Sequence, residues 1–215
     1  MSEHISVVEG RDGLELLAAG EARGVSLDSA ELLRRVRAGR RSPLARACAV
    51  RPGLRVLDAM AGLGLDGLTL AAWGCHVTMI EASPDVFAVL CDGVRRLHAV
   101  WGGHGAIETR CADARTVLSS AQRFDVVYLD PMFPSRNKGA LPQKRSQTLA
   151  IAAARAAVDI PLAELIPMAI PIASQRVVLK RRARGAAAVA PAWTVAANRV
   201  RFDVYRGAAA VPEGS

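Results

Sequence analysis

Aromatic residues are few: Trp, Tyr and Phe together make up 4% of the 215 residues, although 51% of the chain is hydrophobic. A core at this length must therefore be packed from Ala, Val, Leu and Ile, and so apolar a chain is not disordered except at its ends. Acidic residues are also in deficit, 20 Asp and Glu against 28 Lys and Arg, for a formal charge of +8. Such an excess suits a polyanionic partner, because clustered Lys and Arg displace counterions from phosphates. The alternative is a solvated basic surface. No pair among Cys48, Cys75, Cys91 and Cys111 has C-x-x-C spacing, and no apolar leader opens the sequence. A reduced, cytoplasmic protein is expected. No run reaches the roughly 18 to 20 apolar residues that cross a bilayer. Even "LIPMAIPIA" is too short, and Pro167 and Pro171 interrupt it. His4, His76, His98 and His104 are scattered, with no metal-ligand spacing, so no metal site is expected.

What is present is a repeated change of hydrophobic period. Residues 1–50 read as an N-terminal, helical, basic extension. Within it "SLDSAELLRRVRAG" has Ser26 or Asp28 as N-cap, an apolar stripe at Leu32, Leu33 and Val36, and a closing glycine. Arg34, Arg35, Arg37, Arg40, Arg41, Arg46 and Arg51 follow with no acidic residue among them, either as a solvated helix face or as a phosphate-contacting arm. Residues 51–210 read as one domain of alternating elements. "RVLDAM", "HVTMIE", "AIETRCAD", "FDVVYLD" and "RVVLKR" are strands, and "DGLTLAAWG" and the segment from Pro84 to about Leu97 are helices, the latter capped by Ser83. Short apolar strands alternating with helices predict a doubly wound α/β fold with a mostly parallel sheet. "WTVAANRV" and "RFDVY" stand too close for a crossover helix and should pair antiparallel. A parallel sheet ending in such a hairpin is the layout of Rossmann-like methyltransferases.

The first strand runs into "LDAMAGLGLDG", which places Asp58 at its end and Gly62, Gly64 and Gly67 at the opening of a helix, a G-x-G-x-x-G spacing. Glycine permits a tight turn and a close approach to ligand, and the helix beyond it offers free N–H groups. The pattern suits either a nicotinamide dinucleotide or S-adenosylmethionine. Asp58 favours the latter, since a carboxylate there can meet the donor's ammonium but would repel a pyrophosphate. Glu81 ends the second strand and can accept from ribose hydroxyls; Asp113 ends the third and can accept from the adenine amine. Each acid taken singly could equally be a helix cap or a solvated loop residue.

The fourth strand ends in Asp130, followed by Pro131, Met132, Phe133 and Pro134. This resembles the [DN]-P-P-[FY] motif of methyltransferases acting on exocyclic or amide nitrogens. A conjugated amine is a poor nucleophile and must be held in line with the methyl group. The Asp130 carboxylate and the Pro131 carbonyl can each accept one N–H while Phe133 stacks on the base. The longer stretch "YLDPMFPSRNKGALPQKRSQTL", with "LDAMAGLGLDGLTLAAWGCHV", "RVVLKR" and "RFDVYRG", resembles the small-subunit ribosomal RNA guanine-N2 methyltransferases of the J type from about Arg41 to Gly207. D-P-M-F-P, with Met132 at its centre, is itself a feature of that family.

The resemblance implies a class I fold with a seven-stranded sheet, S-adenosylmethionine as cofactor and 16S rRNA or the 30S subunit as partner. Carried over by position, it implies donor contacts at Leu65 and Asp66, Glu81 and Ala82, Asp113 and Ala114, and Asp130. Arg136, Lys138, Lys144 and Arg145 after the motif, with Lys180, are expected to form a basic rim touching RNA phosphates, or else to be ordinary solvated charge. The remaining alternatives are an NAD-dependent oxidoreductase, for which no hydride-transfer acid or base is evident, and a non-catalytic RNA-binding or assembly factor of the same fold.

Overall fold

The computed structural model describes residues 4–101, 105–131, 148, 149, 151 and 161–208, apart from the side chains of 98–101. The chain opens with an antiparallel hairpin, β1 (Ile5–Gly10) and β2 (Gly13–Ala18). The expectation of a purely helical N-terminal extension is therefore corrected. Its strands bury Ile5 and Leu16 against Leu63, Val86 and Val89, so the hairpin belongs to the packing beside the glycine turn. Each strand is six residues long and alternates apolar with polar only over "ISV" and "LEL", too short a run to show it.

Helix α1 (Ser29–Ala38) starts where Asp28 accepts the Glu31 N–H at 2.9 Å and ends at Gly39, whose φ of 70° suits only glycine. Of its predicted stripe, Leu32 is fully buried and Val36 packs at the core edge, but Leu33 is 41% exposed. Ser42 caps α2 (Pro43–Cys48), with Pro43 in its first turn, where a missing N–H costs nothing. Leu44, Ala45, Ala47 and Cys48 join the same core cluster as the central strands. Residues before 51 thus share a core with the sheet.

The remaining elements are β3 (Arg55–Asp58), α3 (Leu65–Ala72), β4 (His76–Glu81), α4 (Pro84–Trp101), β5 (Ile107–Cys111), α5 (Ala114–Leu118), β6 (Phe124–Leu129), α6 (Leu162–Ala169), β7 (Ala173–Arg182), β8 (Trp193–Ala196) and β9 (Val200–Arg206). The sheet order is β5-β4-β3-β6-β7-β9-β8, parallel as far as β7 and antiparallel for β9 and β8, as the sequence predicts. Alternate residues of each strand face opposite layers. Val56, Val77, Met79, Val126, Tyr128 and Val178 pack under α1 to α4, while Leu57, Ile80, Val127, Leu129, Val177 and Leu179 pack under α5 and α6. Both faces are covered, which is why the strands read as continuous apolar runs. In the hairpin, fully buried Asp203 on β9 is paired with Arg201 and Arg181 and accepts from Thr194. Those bonds fix β8 and β7 on either side of it. Among the described residues no helix is long and apolar enough to cross a membrane.

Candidate active site

The winding reverses between β3 and β6: the chain leaves β3 for β4 and β5, then returns to lay β6 on the other side of β3. Such a switch point opens a crevice at the carboxyl ends of the strands. Asp58 and Asp130 stand there, on neighbouring strands.

Asp58 is 1% exposed, and its Oδ1 has no hydrogen-bond partner among the described residues. Burial, with Asp66 and Asp130 nearby, pushes its carboxyl well above the usual range. A buried acceptor left unpaired is costly, and it is relieved by a cationic or N–H group of a ligand. The glycine turn beside it has φ of 55° at Gly62 and 80° at Gly64, and no side chain caps the helix that follows. At Gly67 an added Cβ would fall 2.6 Å from the Met79 sulfur and 2.9 Å from Asp58 Oδ2, so glycine alone lets α3 close onto the strand ends. The empty space beside Gly62, the uncapped helix start and the orphaned Asp58 oxygen together fit the aminoacyl end of S-adenosylmethionine, with its ammonium and carboxylate.

Glu81, at the end of β4, bridges this turn to the start of α4: one oxygen accepts from Gly62 N at 3.0 Å, the other from Ser83 N at 2.8 Å. Burial raises its pKa while the backbone N–H groups of Ser83, Gly62 and Ala82 oppose the rise. Each oxygen retains a lone pair for a ribose hydroxyl. Asp113 ends the next strand segment but is committed as the cap of α5. It accepts from Arg115 N at 2.8 Å and pairs with the Arg115 guanidinium at 2.5 Å, which holds it below the usual carboxylate range. Ala114 is buried behind it. Leu65 lies partly buried against the core and presents no polar side-chain atom.

Two residues do not stand where the sequence suggested. Lys180, expected on the RNA-facing rim, is 20% exposed, and its Nζ lies 2.7 Å from both Asp66 Oδ2 and Asp130 Oδ2. The parallel register pairs Leu129 with Leu179, so the next residues of β6 and β7, Asp130 and Lys180, meet side by side. Asp66, expected at the donor, is 8% exposed and turned into the same network, accepting from Tyr128 Oη at 2.6 Å and pairing with Arg35 of α1. Burial alone would raise its pKa, but Lys180 and Arg35 hold it well below the usual range. The sequence reading missed the joint role of Arg35, Tyr128 and Lys180. The available signal was a lysine interrupting the apolar strand "RVVLKR" directly opposite the acid that ends its neighbour.

Asp130 keeps 32% of its side chain open to solvent. Burial pushes its pKa up to about 6 against the pull of Lys180, with Asp66 adding to the rise. Pro131 follows it, whereas Met132, Phe133, Arg136, Lys138, Lys144 and Arg145 lie outside the described residues.

The family model described as "Putative SAM-dependent methyltransferase" matches residues 2–207. A ribosomal RNA small subunit methyltransferase J of Alkalilimnicola ehrlichii is 39% identical, over 93% of this chain and 81% of its own length. The protein of the same name from Nitrosococcus oceani is 38% identical over 80% and 70%. A crystal structure of a SAM-dependent methyltransferase from Neisseria gonorrhoeae superposes with a TM-score of 0.71 at 26% identity, over all of this chain and 88% of that one. S-adenosylmethionine, rather than a nicotinamide dinucleotide, is the cofactor. The chain belongs to the ribosomal RNA small subunit methyltransferase J family of SAM-dependent methyltransferases.

Proposed function

We propose that this enzyme methylates the exocyclic N2 of a guanine in 16S rRNA, free or within the 30S subunit, in the cytoplasm. The observation that carries the reading is Asp130. It ends β6 beside the donor crevice, with Oδ2 held by Lys180 and Oδ1 bonded to no described residue. A carboxylate so placed can accept one N–H of an aromatic amine, and the carbonyl of Pro131 can accept the other. Bound S-adenosylmethionine supplies an electrophilic methyl group on a sulfonium. Asp58 and Glu81 anchor its two ends through ammonium and ribose, and the N–H groups at the start of α3, including those of Leu65 and Asp66, receive its carboxylate. Ala82, Asp113 and Ala114 border the adenine.

Asp130 and Pro131 would hold the amine facing the donor's methyl group, so that the nitrogen–carbon bond would form as the carbon–sulfur bond breaks and S-adenosylhomocysteine leaves. The nitrogen then carries a positive charge and loses its proton readily, so no strong base is needed. Asp130 acts by orienting the amine and by stabilising the charge that grows on it. Phe133 would stack on the base, and Met132 would shape the turn that carries it.

RNA docking has a second support in α1, α2 and the turn between them. Arg37, Arg40, Arg41, Arg46 and Arg51 are exposed, and no acid occurs from Leu32 to Leu57. Arg136, Lys138, Lys144 and Arg145 would extend that charge. The target guanine must be unpaired or extruded for its amine to enter the crevice.

The test is methyl transfer from labelled donor to 16S rRNA of a strain lacking this protein, followed by nucleoside analysis. N2-methylguanosine is expected. Label in another nucleoside or in protein overturns the substrate. Asp130→Ala should lower turnover by roughly 10² or more with little change in donor affinity; near-normal turnover removes Asp130 from its role.

A further inference from the structure

Three acids crowd the crevice, and two half-buried cations stand among them. Asp58 faces it from β3, Asp66 from α3 and Asp130 from the end of β6; Lys180 enters from β7 and Arg35 from α1, and the Tyr128 hydroxyl of β6 donates to Asp66. Two acids would neutralise two cations. The third leaves the cluster one negative charge over, and Asp58, which has no ion-pair partner among the described residues, is the acid whose carboxyl burial pushes well above the usual range.

We propose that Lys180 is a positioning residue for methyl transfer. By bonding Oδ2 it fixes the rotamer of Asp130 and holds the group as a carboxylate, so that Oδ1 faces the substrate amine as an acceptor.

The geometry leaves Lys180 no other task. Its ammonium is 2.7 Å from one oxygen of each acid, and swinging out to bind a phosphate would strip Asp130 of its ion pair and leave Asp66 with Arg35 and Tyr128 alone. Arg35 holds the far oxygen of Asp66, which in turn holds Lys180. The chain Arg35, Asp66, Lys180, Asp130 thus carries orientation from the N-terminal helix to the acceptor atom. A neutral Asp130 would be a donor on one oxygen and would face the amine with an N–H opposed to an O–H. Proximity to a cation lowers a carboxylate pKa by roughly one to three units, and Lys180 is the strongest such influence on Asp130. The acceptor form therefore disappears as pH falls through the Asp130 pKa, and loss of Lys180 moves that point upward.

This inference rests on the proposed methyl transfer to an amine, but its primary readout does not. Carboxyl-carbon NMR titration of Asp130 in the intact protein should give a midpoint near the value of about 6 that its surroundings impose. In Lys180→Met the midpoint should rise by roughly one pH unit or more, and in Lys180→Arg it should stay near that of the parent. Asp66→Asn, which removes a neighbouring negative charge, should move it down. Transfer rates should follow: Lys180→Met falls roughly tenfold or more at pH 7 and recovers part of that loss at pH 9. An unmoved Asp130 midpoint in Lys180→Met overturns the proposal. Should that variant not fold, an unmoved or raised midpoint in Asp66→Asn overturns it instead. Failure of the parent protein to make N2-methylguanosine would sink the substrate reading and leave these titrations interpretable.

Discussion

Asp58 and Asp130 are both acids at strand ends, yet their surroundings set them to different tasks. Asp130 has a lysine at 2.7 Å and a third of its surface in solvent. Asp58 is 1% exposed with no cation bonded to it among the described residues, and burial and its two acidic neighbours push its carboxyl well above the usual range. An ammonium arriving at Oδ1 favours the ionised form, so donor binding should expel a proton from Asp58. The sign follows from the raised pKa: the free protein keeps the Asp58 proton to a higher pH than the complex does. Calorimetric titration of S-adenosylhomocysteine in buffers of different ionisation enthalpy should register release of up to about one proton per donor, abolished in Asp58→Asn. A buffer-independent enthalpy in the parent protein would show that Asp58 does not face the ammonium.

The element scale explains how an exposed basic helix comes to matter to a buried site. Leu32 is the residue of α1 that is fully buried, and one helical turn on, Arg35 reaches Asp66. Trp73, after α3, donates its indole N–H to the Val36 carbonyl at 3.2 Å, and Arg40 donates to the Trp73 carbonyl at 3.1 Å. Helices α1 and α3 are therefore joined at the site end by an ion pair and at the other end by two hydrogen bonds. Leu32→Ala should cost about 2–5 kcal/mol and lower Tm by roughly 5–15 °C. It should also reduce turnover more than donor affinity, since Arg35 acts on the acceptor network. Thermal unfolding together with paired kinetic and binding measurements checks this; a drop in Tm with unaltered turnover would disconnect α1 from the site. The spacing of Leu32 and Val36 made this helix readable from sequence. Leu33 was not separable from them, because adjacent apolar residues satisfy the same stripe and only the neighbour α3 decides which one is covered.

At the scale of the whole molecule, the net charge of +8 is unevenly spread. Asp58, Glu81, Asp113 and Asp130 stand at or just after strand ends, where they bind, cap or pair, and the segment from Leu32 to Leu57 carries arginine without any acid. Seven of its arginines are exposed, and Arg35 is turned inward. Replacing Arg37, Arg41 and Arg46 together by Ala should weaken RNA binding and flatten the salt dependence of log Kd by roughly two to three, with donor affinity unchanged. Filter binding across a range of salt concentrations measures the slope. A parent-like slope would return these residues to the role of solvated charge.

The sequence by itself determined the alternation of strands and helices, the mostly parallel sheet, the closing hairpin and the strand ends where chemistry occurs. It could do so because hydrophobic period, glycine turns and caps are local, and because Asp58, Glu81, Asp113 and Asp130 each follow an apolar run at which a strand must stop. Tertiary structure decided what each of those groups touches. Asp113 became a helix cap and Asp66 a buried counter-ion. Lys180, grouped by sequence with the basic residues of the expected RNA rim, became the partner of Asp130, because a parallel register set "LK" beside "LD". Sequence separates those two pairs by 50 positions, and only the pairing of β6 with β7 brings their charges within a hydrogen bond.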